Sequence, residues 1–142
     1  MSKTYVPKAL RDRVTEQAKH RCGYCLTHDE NAGSPMEIEH IIPEAAGGKT
    51  EEPNLWLACK MCNDYKGDRM VALDEQTGEI VPLFHPRQQR WEDHFSWTEQ
   101  GTVIAALTPV GRATVAALNL NRPLVVRARR RWVQAGSHPP ND

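Results

Sequence analysis

The chain has 142 residues, a hydrophobic share of 39% and ten prolines, which point to one loop-rich domain, or one modest core with an appendage. No apolar run approaches the roughly 20 residues that span a bilayer, and the N-terminal MSKTYVPKALRDR lacks the apolar centre of a secretory signal; a membrane partner is not expected, and the expected compartment is the cytoplasm. The net charge is zero, yet residues 1–25 carry six Lys/Arg against two Asp/Glu, residues 26–100 six against fifteen, and residues 101–142 six against one. Basic ends around an acidic middle can give a polyanion two positive surfaces, or be ordinary solvated helix faces.

In chain order, Pro7 to His20 predicts a helix, with Leu10, Val14 and Ala18 at i, i+4 and i+8. A tight turn follows at Arg21-Cys22-Gly23-Tyr24-Cys25, then a loop over 27–35. Met36 to Ile42 alternates and predicts a strand stopped by Pro43. A long turn leads to a short apolar strand over 54–58, then a second knuckle, Cys59-Lys60-Met61-Cys62, and a helix from Asn63 to about Met70. Further on, DEQTGE is a turn between two apolar pieces, VPLF a short strand, and Thr102 to Leu107 another strand. Thr108 caps a helix that begins at Pro109. Asn121-Arg122-Pro123 breaks it and starts a last helix, with Leu124, Ala128, Trp132 and Ala135 on one face and Arg127, Arg130 and Arg131 on another. The GSHPPND tail is expected to fray. Trp91, Phe95 and Trp97 are expected to pack a second small core.

All four cysteines fall in two Cys-x-x-Cys pairs, 22/25 and 59/62. Each pair can grip one side of a tetrahedral ion, and four thiolates close the shell of a structural Zn2+. In a cytosolic protein this reading outweighs disulfides. The 33 residues between the pairs exceed the roughly 15–20 of a zinc ribbon, so a shaped insert lies between the knuckles. It contains Glu39-His40-Ile41-Ile42-Pro43.

Hydrolysis of a phosphodiester needs a base for water and a cation for the charge that builds on phosphate and leaving oxygen. His40 offers an imidazole, Glu39 a carboxylate, and Asn63 an amide oxygen suited to a hard cation. Zinc joining the knuckles would bring Asn63 towards the strand of Glu39 and His40. In a strict strand adjacent side chains point to opposite faces, so a bend or bulge is expected there.

The ordered motifs C-G-Y-C, E-H-I-I-P, G-G, N-L and C-K-M-C-N-D-Y-K-G over residues 21–67 resemble the HNH endonucleases, in particular bacterial members with paired zinc knuckles. The resemblance implies an α+β protein: a zinc-stapled ββα-metal nuclease core over residues 1–70 and a mixed strand and helix extension over 71–142 packed against it. It implies metal-dependent hydrolysis of DNA, leaving a 5′-phosphate and a 3′-hydroxyl. His40 would be the general base, Glu39 and Asn63 the ligands of a catalytic Mg2+ or Mn2+, and Asn54 the residue that pins the loop behind the base. Many members have His where Asn63 stands and Asp where Glu39 stands.

Each residue also has a plainer reading. His40 can be a packed core histidine, Asn63 a helix cap, and Lys66, Arg127, Arg130 and Arg131 solvated cations and not phosphate contacts. His85 and His94 are weaker candidates to assist the site. The alternative function is a non-catalytic zinc-stabilised module that binds nucleic acid or protein; a third is an RNA nuclease.

Overall fold

Pro7 presets the first turn of α1 (Lys8–Gln17), and Val14, fully buried, anchors that helix to the rest of the chain. The computed structural model describes residues 5–142, so residues 1–4 of the expected first segment lie outside the described residues. Beyond α1 the knuckle turn begins, and its Gly23 amide donates to the Leu57 carbonyl at 2.9 Å. A Cβ at Gly23 would collide with the Trp56 indole, so only glycine lets the knuckle lie this close to the hairpin. The region expected as loop after Cys25 contains one helical turn, α2 (Asp29–Ala32), capped by the His28 imidazole, which accepts from the Glu30 amide.

The central hairpin joins β1 (Glu37–His40) to β2 (Leu55–Ala58) antiparallel, with Glu37 opposite Ala58, Ile38 opposite Leu57, Glu39 opposite Trp56 and His40 opposite Leu55. This pairing is one-to-one through His40, so the expected bulge does not occur; the chain leaves the ladder only after Ile41, whose amide donates to the Asn54 carbonyl at 2.8 Å. β2 runs into the second knuckle and α3 (Lys60–Lys66). The helix starts earlier than the sequence suggests because Cys59 is its cap: the Cys62 amide donates to the Cys59 sulfur at 3.5 Å.

The rest of the chain adds two hairpins and three helices. β3 (Val71–Asp74) pairs with β4 (Glu79–Pro82), and β5 (Phe95–Thr98) with β6 (Val103–Ala106). A helical turn, α4 (Trp91–His94), precedes β5. α5 (Pro109–Ala117) begins on the Thr108 cap, whose hydroxyl accepts from the Gly111 amide at 3.0 Å. Asp74 and Arg112 clip the β3–β4 hairpin to α5 through two hydrogen bonds, 2.8 and 3.0 Å, and the guanidinium holds the Asp74 carboxyl well below the usual carboxylate range.

α6 (Pro123–Gln134) departs from its expected phase. Leu124 is 72% exposed, and the inward positions are Val125 and Arg129. Hydropathy misplaces the face because the residue turned inside is an arginine. The tail is also held, not frayed: His138 is buried, with its ring edge-on to Trp97, and Asp142 makes ion pairs with Lys19 and Arg21 at 2.7 Å.

The expected second core does not exist as a separate body. Cys22, Tyr24, Cys25, Ala58, Cys59 and Cys62 share one buried cluster with Leu83, Phe84, Trp91, Phe95, Ile104, Leu118 and Leu120, and Trp97 packs against it. The Trp91 indole N–H donates to the Tyr24 carbonyl at 2.9 Å. The extension thus supplies the apolar lid of the knuckles. A fragment ending at residue 70 would leave that cluster open to water and is expected to show no cooperative unfolding transition, with or without zinc; circular dichroism against the full chain checks this.

Candidate functional site

The four cysteine sulfurs lie within 4.8 Å of one another. Cys25 and Cys59 Sγ are 3.7 Å apart, close to the edge of about 3.8 Å for a tetrahedron with metal–sulfur bonds of about 2.3 Å. Cys22, Cys25 and Cys62 are fully buried and Cys59 is 7% exposed. The Tyr24 amide donates to Cys22 Sγ at 3.4 Å, and the Thr27 hydroxyl lies 3.1 Å from Cys25 Sγ, placed to donate to a thiolate. Burial pushes the Cys22 thiol up, and the neighbouring sulfurs do the same to Cys62; hydrogen bonds from its neighbours hold Cys25 down. Four buried thiolates need a cation among them, and the donor set, spacing and closed shell are those of structural zinc.

Between the knuckles, the loop from Ile41 to Asn54 is shaped by one side chain. Asn54 Oδ1 accepts from the Ile42 amide at 2.8 Å, while its Nδ2 donates to the carbonyls of Ile42 and Lys49, each at 3.0 Å. Gly48 lies so close to this clasp that a Cβ there would fall inside the Ile42 carbonyl. The clasp fixes the strand end that carries His40. The imidazole is mostly covered, with Nε2 2.8 Å from the Thr50 hydroxyl and 3.2 Å from a Glu44 carboxylate oxygen.

Glu39 points inward and is 2% exposed. Its Oε1 accepts from the Tyr24 hydroxyl, and its Oε2, which has no hydrogen-bond partner, lies 3.4 Å from the Lys66 ammonium. Burial raises the Glu39 carboxyl above its ordinary range, opposed by Lys66 and then by Tyr24. Lys66 is equally buried and donates to the carbonyls of Ile41 at 3.1 Å and His40 at 3.3 Å. The sequence expectation that Lys66 meets a phosphate is therefore corrected: its ammonium is inside, holding the acid and the strand end together.

Asn63, on α3, faces β1. Its Nδ2 donates to Glu37 Oε1 at 2.7 Å, which leaves Oδ1 as a free acceptor. Sequence reasoning passed over Glu37, although the period-two rule puts it on the same strand face as Glu39. Glu37, His40 and Asn63 line one open groove of about 800 Å3, which Glu39 also borders, though with its carboxylate turned inward to Tyr24 and Lys66. Its other wall comes from α1 and the residues before it, with Lys8 and Arg11 as its cations. Arg127, Arg130 and Arg131 are exposed on α6 and do not line this groove, and neither do His85 and His94. His94 Nδ1 is instead 2.6 Å from the Thr108 hydroxyl, and His85 Nδ1 accepts from the Arg87 and Gln88 amides.

The Glu39–Lys66 pair has a measurable signature. Lys66→Met leaves a buried carboxylate alone and is expected to cost about 3–5 kcal/mol, whereas Glu39→Gln with Lys66→Met recovers most of that. Urea unfolding of the zinc-loaded proteins checks both.

Among known proteins, the family model for HNH endonuclease matches residues 22–69, about a third of the chain. No curated protein and no solved structure matches it. That segment holds both knuckles, the central hairpin and α3, and over it the chain is similar to the HNH endonucleases, a nuclease family whose members act on nucleic acid.

Proposed function

We propose that the chain is an endonuclease that hydrolyses DNA phosphodiester bonds with a divalent cation. The observation that supports this is the groove lined by Glu37, His40 and Asn63, with the buried Glu39 carboxylate behind it. The donors suit a hard cation: the amide oxygen of Asn63, Glu37 beside it, and, if it turns from the Lys66 ammonium 3.4 Å away, the Glu39 oxygen that has no hydrogen-bond partner. Bound there, Mg2+ or Mn2+ supplies charge stabilisation for the scissile phosphate and its leaving oxygen.

The remaining chemistry falls to the protein. A carboxylate accepts but does not donate, so Glu44 at 3.2 Å favours the tautomer with its proton on His40 Nε2. Nδ1 then carries the lone pair that takes a proton from water. Asn54 and Lys66 keep the imidazole from drifting, the first by clasping the loop and the second by holding the carbonyls of His40 and Ile41. Lys8 and Arg11 give the opposite wall positive charge for a phosphate backbone.

A non-catalytic binding module is the competing reading, and the coverage of Glu39 by Tyr24 and Lys66 favours it. His40→Ala separates the two. Nicking of plasmid DNA in Mg2+ or Mn2+ is expected to fall at least about a hundredfold, with one zinc retained; unchanged nicking would exclude His40 as the base. Glu37→Gln is expected to raise the Mg2+ concentration for half-maximal rate by about 10–100-fold. Parallel substrates test the polymer, and cleavage of RNA alone would remove the DNA assignment.

A further inference from the structure

α6 turns one charged side chain into the interior. Arg129 is 0% exposed. Its Nη1 donates to the Thr102 carbonyl at 3.0 Å and to Asn121 Oδ1 at 3.2 Å, and its Nη2 to the Leu120 carbonyl at 2.6 Å. The guanidinium carbon lies 5.3 Å from the centre of a Trp97 ring. All these partners are neutral, and Nε is buried with no hydrogen-bond partner. Among the described residues no carboxylate lies within ion-pair distance of Arg129. A buried cation needs an anion, because its charge has lost the solvation of water.

Among the described residues the buried carboxylates Glu39 and Asp74 already have cations, Lys66 and Arg112, which leaves the sulfur cluster as the buried negative charge without one. Four thiolates around Zn2+ carry a net charge of about −2 in apolar surroundings. Leu120, whose carbonyl accepts from Arg129, shares the buried cluster of the four cysteines, and Trp97, under the guanidinium, packs against it. Burial pulls the Arg129 pKa down, while Cys25, Cys62 and Cys59 act to hold it up.

We infer that Arg129 is the counter-charge of the zinc site, a positioning residue delivered by the C-terminal extension that favours the metal-loaded state of the four cysteines. This rests on the zinc reading and is independent of whether the groove cuts DNA. It gives the extension a task beyond covering apolar surface.

The test is zinc release from the full-length, metal-loaded protein into an excess of chromophoric chelator, with circular dichroism to follow the fold. Arg129→Met is expected to release zinc at least about tenfold faster than wild type, while Arg129→Lys stays within about threefold. Lysine keeps the charge but cannot reproduce the planar fork that reaches three acceptors. A role confined to hydrogen bonding would therefore make Arg129→Lys as damaging as Arg129→Met, and that result overturns the inference. So does an Arg129→Met protein that holds zinc like wild type. If Arg129→Met does not fold even with zinc, a folded, zinc-retaining Arg129→Lys supports the counter-charge; failure of Arg129→Lys, with or without failure of Arg129→Met, rejects it.

Discussion

Everything in this molecule hangs on the convergence of four sulfurs from two turns that lie far apart in sequence. The core around them is small, and the loops it must order are many. Joining the turns fixes the end of β2 against the start of α3 and sets the knuckle glycine on the Trp56 ring. Once that frame is rigid, β1 has one place to lie, and Asn63 is brought to Glu37. A metal held by these sulfurs would make binding and folding one process, with the groove following from both.

The electrostatics of the groove show a division of labour along a single strand. Glu39 is taken out of water and offset by Lys66, whereas Glu37, two residues earlier, remains partly open beside an amide. Two carboxylates on one strand face therefore differ in hydration and in partner. One steadies the frame while keeping an oxygen without a hydrogen bond, and the other contributes charge at the surface of the groove. Opposite them, α1 brings cations without which Glu37 and three further acids near the rim, Glu44, Asp64 and Asp68, would repel a polyanion.

Much of this was legible in the sequence because it is local. Cys-x-x-Cys spacing, the Thr108 cap, the prolines that begin α5 and α6, and the turn between β3 and β4 each act within a few residues. The approach of α3 to β1 follows from the paired knuckles, but the partner that Asn63 meets there is Glu37, while Glu39 turns inward to Tyr24 and Lys66. The burial of Lys66 was hidden, because a lysine following Asp64-Tyr65 reads as solvated, and only the distant Glu39 carboxylate makes its interior position tolerable. The phase of α6 was misleading for the same reason: no periodicity rule selects an arginine as the inward residue. Hydropathy cannot reveal that the aromatics of the extension and the cysteines form one core, since that depends on tertiary contact between segments far apart in the chain.

Tyr24 joins three of these regions through one side chain and one peptide unit. Its ring meets Phe84 edge-on, its carbonyl holds the Trp91 indole, and its hydroxyl reaches Glu39. Such a junction narrows the routes open to evolutionary drift. A lineage that replaces the tyrosine keeps the carbonyl for Trp91 but must at once find a new donor for the strand acid and a new ring edge for Phe84, so positions 24, 39 and 84 should vary in concert or stay as they are.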